Sequence, residues 1–345
     1  MKAVTFQGAN HVQVEDVPEP AIQAPEDAII RVTSSSVCGS DLHLYHGRLP
    51  FAMKGFVLGH EFVGVVEEVG SAVTELKVGQ RVVSAFSASC GRCFYCRRGL
   101  TTQCLKGGQT FGFGQLPGGQ AQLVRVPHAD FTCERIPDSV DDAQAILVGD
   151  VLATGYYCAE IGNITPGDVV LVLGCGPVGL CTVACAYLLG ASTVLAVDSV
   201  PERLALVEHL GGVPVDMSRE NPGDRVRQYT GGRGVDVVCE AVGSLEALSS
   251  CFTLVRPGGT IAAVGVYSEP TFDFPIFLGF LRDISFRVGI CPAKNYMARL
   301  LTLVQSGRID TKPLITHVMP LDDAVHAYDM FAHRKEGCVK VLLTS

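Results

Sequence analysis

Hydrophobic and polar positions change their rhythm twice along the chain. Over roughly the first 150 residues, apolar side chains come in short alternating runs, at 28–32, 62–69 and 80–84, and Gly and Pro interrupt them at close intervals. Period-two alternation with frequent turn residues predicts antiparallel strands, here a partly barrelled β domain with inserted loops. After about Asp150 the runs become continuous. Residues 169–173 are wholly apolar, as expected of a parallel strand covered on both faces. Residues 178–189 read as a helix of small and apolar residues, 193–197 as a second strand, and 201–210 as a helix with Pro201 in its first turn. Strands at 235–239, 260–264 and 285–288 follow, with helical segments between them. Alternation of this kind predicts an α/β fold with a doubly wound parallel sheet. From about 290 the first rhythm returns, with helices at 294–306 and 322–331 and strands at 314–319 and 339–343. The tail is therefore expected to rejoin the first domain. That domain is discontinuous, 1–151 with 290–345, and a second domain spans 152–289.

Composition narrows the class. With 345 residues, 48% of them hydrophobic, the chain can build two cores. The net charge is −8, and consecutive basic residues occur only as Arg97-Arg98 and Arg334-Lys335, which argues against a nucleic-acid footprint. The uncharged stretch from Val169 to Val197 is long enough for a membrane span, but Gly174, Gly176, Pro177, Gly179 and Gly190 break it into strand, turn, helix and strand. The N-terminus lacks the apolar core of a signal peptide. Of the fourteen cysteines, Cys175, Cys181, Cys185 and Cys239 lie in apolar runs, the pattern of a reducing compartment rather than a disulfide scaffold. The expected protein is soluble and cytoplasmic, with neither a nucleic-acid nor a membrane partner.

Three motifs carry chemistry. Cys90, Cys93, Cys96 and Cys104 form C-x2-C-x2-C-x7-C, a spacing that closes a tetrahedron of thiolates around one structural zinc ion. Cys38-Gly39-Ser40-Asp41-Leu42-His43 and Gly59-His60-Glu61 supply a thiolate, an imidazole and a carboxylate, the donor types of a catalytic zinc with one open position. Gly174-Cys175-Gly176-Pro177-Val178-Gly179 is a G-x-G-x-x-G that follows a buried strand and opens a helix, as a pyrophosphate site requires. Asp198 ends the next strand, 19 residues after Gly179, where a carboxylate accepts ribose hydroxyls and repels a 2′-phosphate. This favours NAD over NADP. Arg203 lies nearby, inside the following helix.

In this order, the motifs resemble those of the zinc-dependent medium-chain alcohol dehydrogenases, bacterial type with a structural zinc lobe, and the resemblance covers essentially the whole chain. It implies a GroES-like catalytic domain, a Rossmann domain, and two zinc ions per chain beside NAD. It implies hydride transfer between NAD and an alcohol–aldehyde or alcohol–ketone pair. Asp150, in Gly149-Asp150-Val151-Leu152-Ala153-Thr154-Gly155, stands where other members have a ligating cysteine, so the implied ligands are Cys38, His60 and Asp150. Glu61 is either a fourth, exchangeable ligand or a carboxylate that orients the site. Ser40 is implied to start a proton relay that His43 ends, while Asp41 orients backbone. Thr154, Val242, Val264 and Val266 are implied cofactor contacts. Lys340 is either a cofactor-phosphate contact or a solvated lysine. Phe86, Phe111, Phe113 and Leu116 are candidate pocket-wall residues. The short segment between Cys104 and Gly119 points to a homotetramer, with a homodimer as the alternative.

Polyol, amino-alcohol and formaldehyde-adduct dehydrogenases share the motif order, so the motifs leave the substrate open among small alcohols and aldehydes. A zinc-free quinone reductase would lack Cys38, His60 and the four-cysteine lobe. A nucleotide-binding structural protein would need neither an open metal position nor Ser40.

Overall fold

The computed structural model describes residues 1–48, 53–114 and 116–345. The chain divides into one unit of residues 1–153 and 292–345 and a second of residues 154–291. Each boundary lies two residues beyond the one expected.

The first unit is built from the alternating runs. β1 (Lys2–Gly8), β2 (His11–Asp16) and β4 (Phe56–Val57) form a three-stranded sheet around β1, while β3 is Ala28–Ser36. β5 (Phe62–Val69), β6 (Arg81–Ser84), β7 (Leu123–Val126) and β8 (Cys133–Arg135) join β3 in a larger sheet that runs β3-β5-β6-β8, with β7 on β3. All of these pairs are antiparallel. Gly64 on β5 is required for packing: a β-carbon there would stand 2.2 Å from the carbonyl oxygen of Arg31 on β3.

The second unit follows from continuous apolar strands. β9 (Val169–Leu173) is buried at every position, and so is β12 (Val235–Glu240). β10 (Thr193–Asp198), β11 (Val213–Asp216), β13 (Val255–Ala263) and β14 (Ser285–Val288) complete a parallel sheet of order β11-β10-β9-β12-β13-β14. Winding outward in both directions from β9 makes this the doubly wound arrangement, with a switch point between β9 and β12. Helix Pro177–Leu188 follows β9, with Pro at its first position and buried residues all along it.

The tail returns to the first unit through β15 (His317–Pro320) and β16 (Val341–Thr344), which pairs antiparallel with β3. Helix Ala324–Ala332 sends Tyr328 and Phe331 into a cluster with Val4, Phe6, Val37 and Leu44. Each such fully buried apolar side chain contributes about 1.5–3 kcal/mol. Three expected elements change shape. The strand read at 314–319 shortens because residues 312–314 form a 3₁₀ turn around Pro313, which has no N–H for a ladder. The helix read at 322–331 starts two residues later, after a 3₁₀ turn at Leu321–Asp323. β13 begins at Val255 rather than 260 and runs through Pro257, Gly258 and Gly259 by a register shift against β12.

Candidate metal centres and dinucleotide site

Three buried side chains meet beyond the end of β3. Cys38 follows the strand, His60 precedes β5, and Asp150 immediately precedes helix Val151–Ile161. One donor atom from each lies within 4.8 Å of the others. Cys38 Sγ is 3.4 Å from Asp150 Oδ2, and His60 Nε2 is 3.2 Å from the same oxygen. The edges of a zinc tetrahedron built from these ligand types are about 3.4–3.6 Å, given metal bonds of about 2.0–2.3 Å. The donor set therefore fits a zinc ion.

Electrostatics agree with that fit. Burial pushes the Cys38 thiol pKa up, and the Asp150 and Glu61 carboxylates push it further. Burial also works against charge on His60, yet Asp41, Cys38 and Asp150 outweigh it and hold the imidazole well above its ordinary value. Asp150 stays below the usual carboxylate range, because its hydrogen bond to His60 offsets its burial. Without a metal, Cys38 therefore keeps its thiol proton and His60 carries a positive charge beside the Asp150 carboxylate. A divalent cation would supply that positive charge and leave the imidazole neutral.

Ser40 Oγ lies 3.3 Å from Cys38 Sγ and 3.1 Å from His60 Nε2. His43 is half-buried on the short helix Asp41–Tyr45, where its backbone N–H bonds the Ser40 carbonyl. Asp41 is fully buried. Its Oδ2 accepts the Cys38 backbone N–H at 2.9 Å, and its Oδ1 faces His60 Nδ1 at 3.1 Å. A carboxylate in that place fixes the ring so that Nε2 points into the donor cluster.

The four lobe cysteines also bring their sulfurs within 4.8 Å of one another, with Cys93 Sγ 3.5 Å from Cys96 and 4.0 Å from Cys104. The edge of a zinc–tetrathiolate tetrahedron is about 3.8 Å. Backbone N–H groups of Cys96 and Leu105 aim at Cys93 and hold its thiol down to about 6, while burial raises Cys96 to about 12. All fourteen cysteines are free of disulfides.

In the second unit, each glycine of the fingerprint meets a different demand. Gly174 has φ +87°, and a β-carbon on Gly179 would lie 1.8 Å from the Gly174 carbonyl oxygen. A β-carbon on Gly176 would meet nothing within 4 Å, so the protein's own packing does not require glycine there. Close approach of a pyrophosphate does. Pro177 and Val178 open the helix above it. Asp198 Oδ2 accepts the Cys175 N–H at 2.8 Å, and Oδ1 accepts those of Ser199 and Val200. Thr154 is half-buried on helix Val151–Ile161. Val242 and Val266 are 51% and 47% exposed just past the carboxyl ends of β12 and β13, with half-buried Val264 beside them. That is the edge of such a sheet that receives its ligand.

Comparison with known proteins decides the family. Residues 24–138 match the alcohol dehydrogenase GroES-like domain, and residues 177–306 match the zinc-binding dehydrogenase domain. The zinc-type alcohol dehydrogenase-like protein AdhB of Bacillus subtilis is 41% identical over 99% of this chain and 100% of its own. The chain belongs to the zinc-dependent medium-chain alcohol dehydrogenase family. An alcohol dehydrogenase of Cupriavidus necator is 37% identical over 99% of this chain and 98% of its own. The solved structure of alcohol dehydrogenase TADH from Thermus sp. ATN1 superposes with a TM-score of 0.94 at 42% identity, covering 100% of this chain and 99% of that one.

Within this family the structure places the remaining expected residues. Glu61, expected either as an exchangeable ligand or as an orienting carboxylate, stands beside the three-donor group of Cys38, His60 and Asp150. Its Oε2 accepts from the Ser36 hydroxyl and the Lys340 ammonium. Lys340 is neither solvated nor a phosphate contact. It is fully buried, it also donates to the Val37 carbonyl at 3.1 Å, and the Glu61 charge outweighs its burial to raise its pKa. Arg203 turns its guanidinium to Asp198, 3.4 Å away. Of the wall candidates, Phe86 and Phe113 pack edge-on to the His60 ring, at centroid distances of 6.5 and 5.4 Å. Phe111 and Leu116 are core residues, with Phe111 edge-on to Phe62.

Sequence reasoning undervalued Asp41 and missed the buried relay behind it. The Tyr328 hydroxyl donates to Gln120 Oε1 at 2.8 Å, and Gln120 Nε2 donates to the Ser36 carbonyl at 2.9 Å and reaches Asp41 Oδ2 at 3.4 Å. Lys340 did carry a signal, because a lysine between Val339 and Val341 in an apolar run needs a buried partner.

Proposed function

We propose that this dehydrogenase interconverts alcohols with aldehydes or ketones, using NAD as the hydride partner and one zinc ion at Cys38, His60 and Asp150. The observation that carries the reading is the convergence of those three buried donors, with the Ser40 hydroxyl in contact with two of them. When bound, zinc supplies Lewis acidity toward a substrate oxygen, and NAD supplies the hydride acceptor. The residues do the remainder. Ser40 receives the hydroxyl proton of the substrate and passes it toward His43. Asp41 holds the Cys38 backbone and the His60 ring in one geometry. Lys340 neutralises Glu61, so a second carboxylate adds no net charge behind the ligands. Phe86 and Phe113 keep the His60 face dry. The lobe cysteines hold a second, structural zinc.

The preference for NAD rests on Asp198, whose carboxylate opposes a 2′-phosphate. Self-association, as a homotetramer or homodimer, is supported by helix Ile276–Leu281, which has no buried residue and exposes Ile276, Phe277 and Phe280. Among the described residues no helix is long and apolar enough to cross a membrane. We assign the protein to the cytoplasm, on its abundance of free cysteines, with no nucleic-acid partner.

The test is a panel of primary, secondary, polyhydroxy and amino alcohols with hydrated formaldehyde, each run with NAD and with NADP, following reduced cofactor by absorbance. NAD-dependent turnover of simple alcohols supports the reading. Turnover confined to polyols, amino alcohols or formaldehyde reassigns the substrate, and turnover only with NADP overturns the cofactor.

A further inference from the structure

Glu240 is the last residue of β12, at the edge of the sheet that receives ligand, yet it is fully buried. Its Oε1 accepts the backbone N–H groups of Val242 and Gly243, each at 2.8 Å, and its Oε2 accepts the Tyr267 hydroxyl at 2.5 Å. Its carbonyl accepts the N–H of Val264 at 3.0 Å. One residue therefore ties the turn after β12 to the turn after β13. The fit leaves no slack: a β-carbon on Gly265 would lie 2.2 Å from the Gly243 nitrogen and 2.6 Å from Glu240 Oε2. A β-carbon on Gly174 would meet Val242 at 2.7 Å, so this knot abuts the first glycine of the fingerprint.

The partners favour its charged form. The two amides can only donate, and Tyr267 donates its hydroxyl to the second oxygen. Burial raises its pKa above the ordinary value, and the Tyr267, Gly243 and Val242 hydrogen bonds limit the rise. Among the described residues no Lys, Arg or His pairs with it. The Cys251 thiol near it is raised by burial and stays neutral. A structural knot could have been tied by a neutral side chain. This one holds an uncompensated negative charge in a low-dielectric site, where charge acts over longer range.

In a doubly wound sheet the two halves of a dinucleotide lie on opposite sides of the switch point. Asp198 on β10 marks the adenosine side, so β12 and β13 serve the nicotinamide side. We propose that Glu240, gripped by Tyr267, is a fixed negative charge at the nicotinamide end of the site that biases the bound cofactor toward its oxidised, cationic ring. The proposal rests on the NAD reading above. Glu240 acts as an electrostatic positioning residue, and the oxidised and reduced cofactors report on it because they differ by one positive charge on the ring.

The experiment measures the dissociation constants of NAD and NADH on the full-length, zinc-loaded protein, by calorimetry and by nicotinamide fluorescence. In Glu240→Gln the ratio of the NAD to the NADH constant rises on the order of tenfold, the size of effect that one unit charge exerts across a low-dielectric site. Tyr267→Phe removes a donor but keeps the anion, so its ratio stays within about twofold of wild type. If Glu240→Gln does not fold, Glu240→Gln with Tyr267→Phe carries the same expectation. An unmoved ratio in a folded neutral variant overturns the proposal. So does a Tyr267→Phe ratio that moves by about tenfold, which would make the effect one of loop geometry. A wild type that binds neither cofactor refutes instead the NAD reading itself.

Discussion

Replacing Lys340 with Met isolates the buried pair behind the candidate metal centre. Both Lys340 and Glu61 have no solvent-exposed side-chain surface. Removing the ammonium leaves a carboxylate whose remaining partner is the Ser36 hydroxyl, and the Val37 carbonyl loses its donor. Breaking a buried pair in this one-sided way costs about 3–5 kcal/mol, against a whole-protein stability of about 5–15 kcal/mol. In a unit of roughly 200 residues this lowers the melting temperature by about 6–20 °C. The double variant Lys340→Met with Glu61→Gln removes the stranded charge. The Val37 carbonyl and the side-chain atom in the place of the unpartnered Glu61 Oε1 then remain unsatisfied, at about 1–3 kcal/mol each, so only part of the lost stability returns. The assay is scanning calorimetry of the zinc-loaded protein, wild type, both single variants and the double. A loss below about 1 kcal/mol in Lys340→Met, or a double variant no more stable than that single, would refute the reasoning.

Asp198→Gly removes the acceptor for three backbone N–H groups and releases Arg203. NAD binding should weaken by about tenfold or more, and the relative preference should move toward NADP, read as the ratio of their dissociation constants; an unchanged ratio moves ribose recognition elsewhere. Cys96→Ser should lose one of two zinc ions per chain by metal analysis and lower the melting temperature while the second unit still binds NADH, and full zinc content would contradict the lobe assignment. Asp130 accepts N–H groups of Thr74, Glu75 and Leu76 at 2.7–3.1 Å, which overcome burial and hold its pKa low. A depressed carboxylate contributes stability above its unfolded value of about 3.9, and loses it as pH falls through the folded value. Asp130→Asn should therefore destabilise at neutral pH, by about 1 kcal/mol, with the difference shrinking below about pH 4; a constant difference across that range would contradict it.

What the sequence disclosed follows from how local each signal is. The four lobe cysteines lie within fifteen residues, and the fingerprint within six, so spacing alone assembles them. The Cys38 and His60 segments were legible as donor types, and Asp150 only through resemblance, because its place beside Cys38 depends on a fold that joins residues 112 apart. Lys340 and Glu61 lie 279 residues apart, and no local pattern announces their pairing. Phe111 and Leu116 were read as pocket wall because a loop side chain cannot be aimed without its neighbours. β13 was begun too late because Pro257-Gly258-Gly259 reads as a break, while a register shift carries the strand through it. Asp41 was expected to orient backbone, and it accepts the Cys38 N–H. Its second contact, to His60, needed the ring in place.

The central claim is that Cys38, His60 and Asp150 hold a reactive zinc. The most direct test is Cys38→Ser, with zinc per chain, alcohol turnover and NADH affinity measured on the same preparation. This variant should hold one zinc in place of two and lose turnover, with NADH binding unchanged, because the fingerprint lies in the second unit. Two zinc ions per chain with near-normal turnover would contradict it.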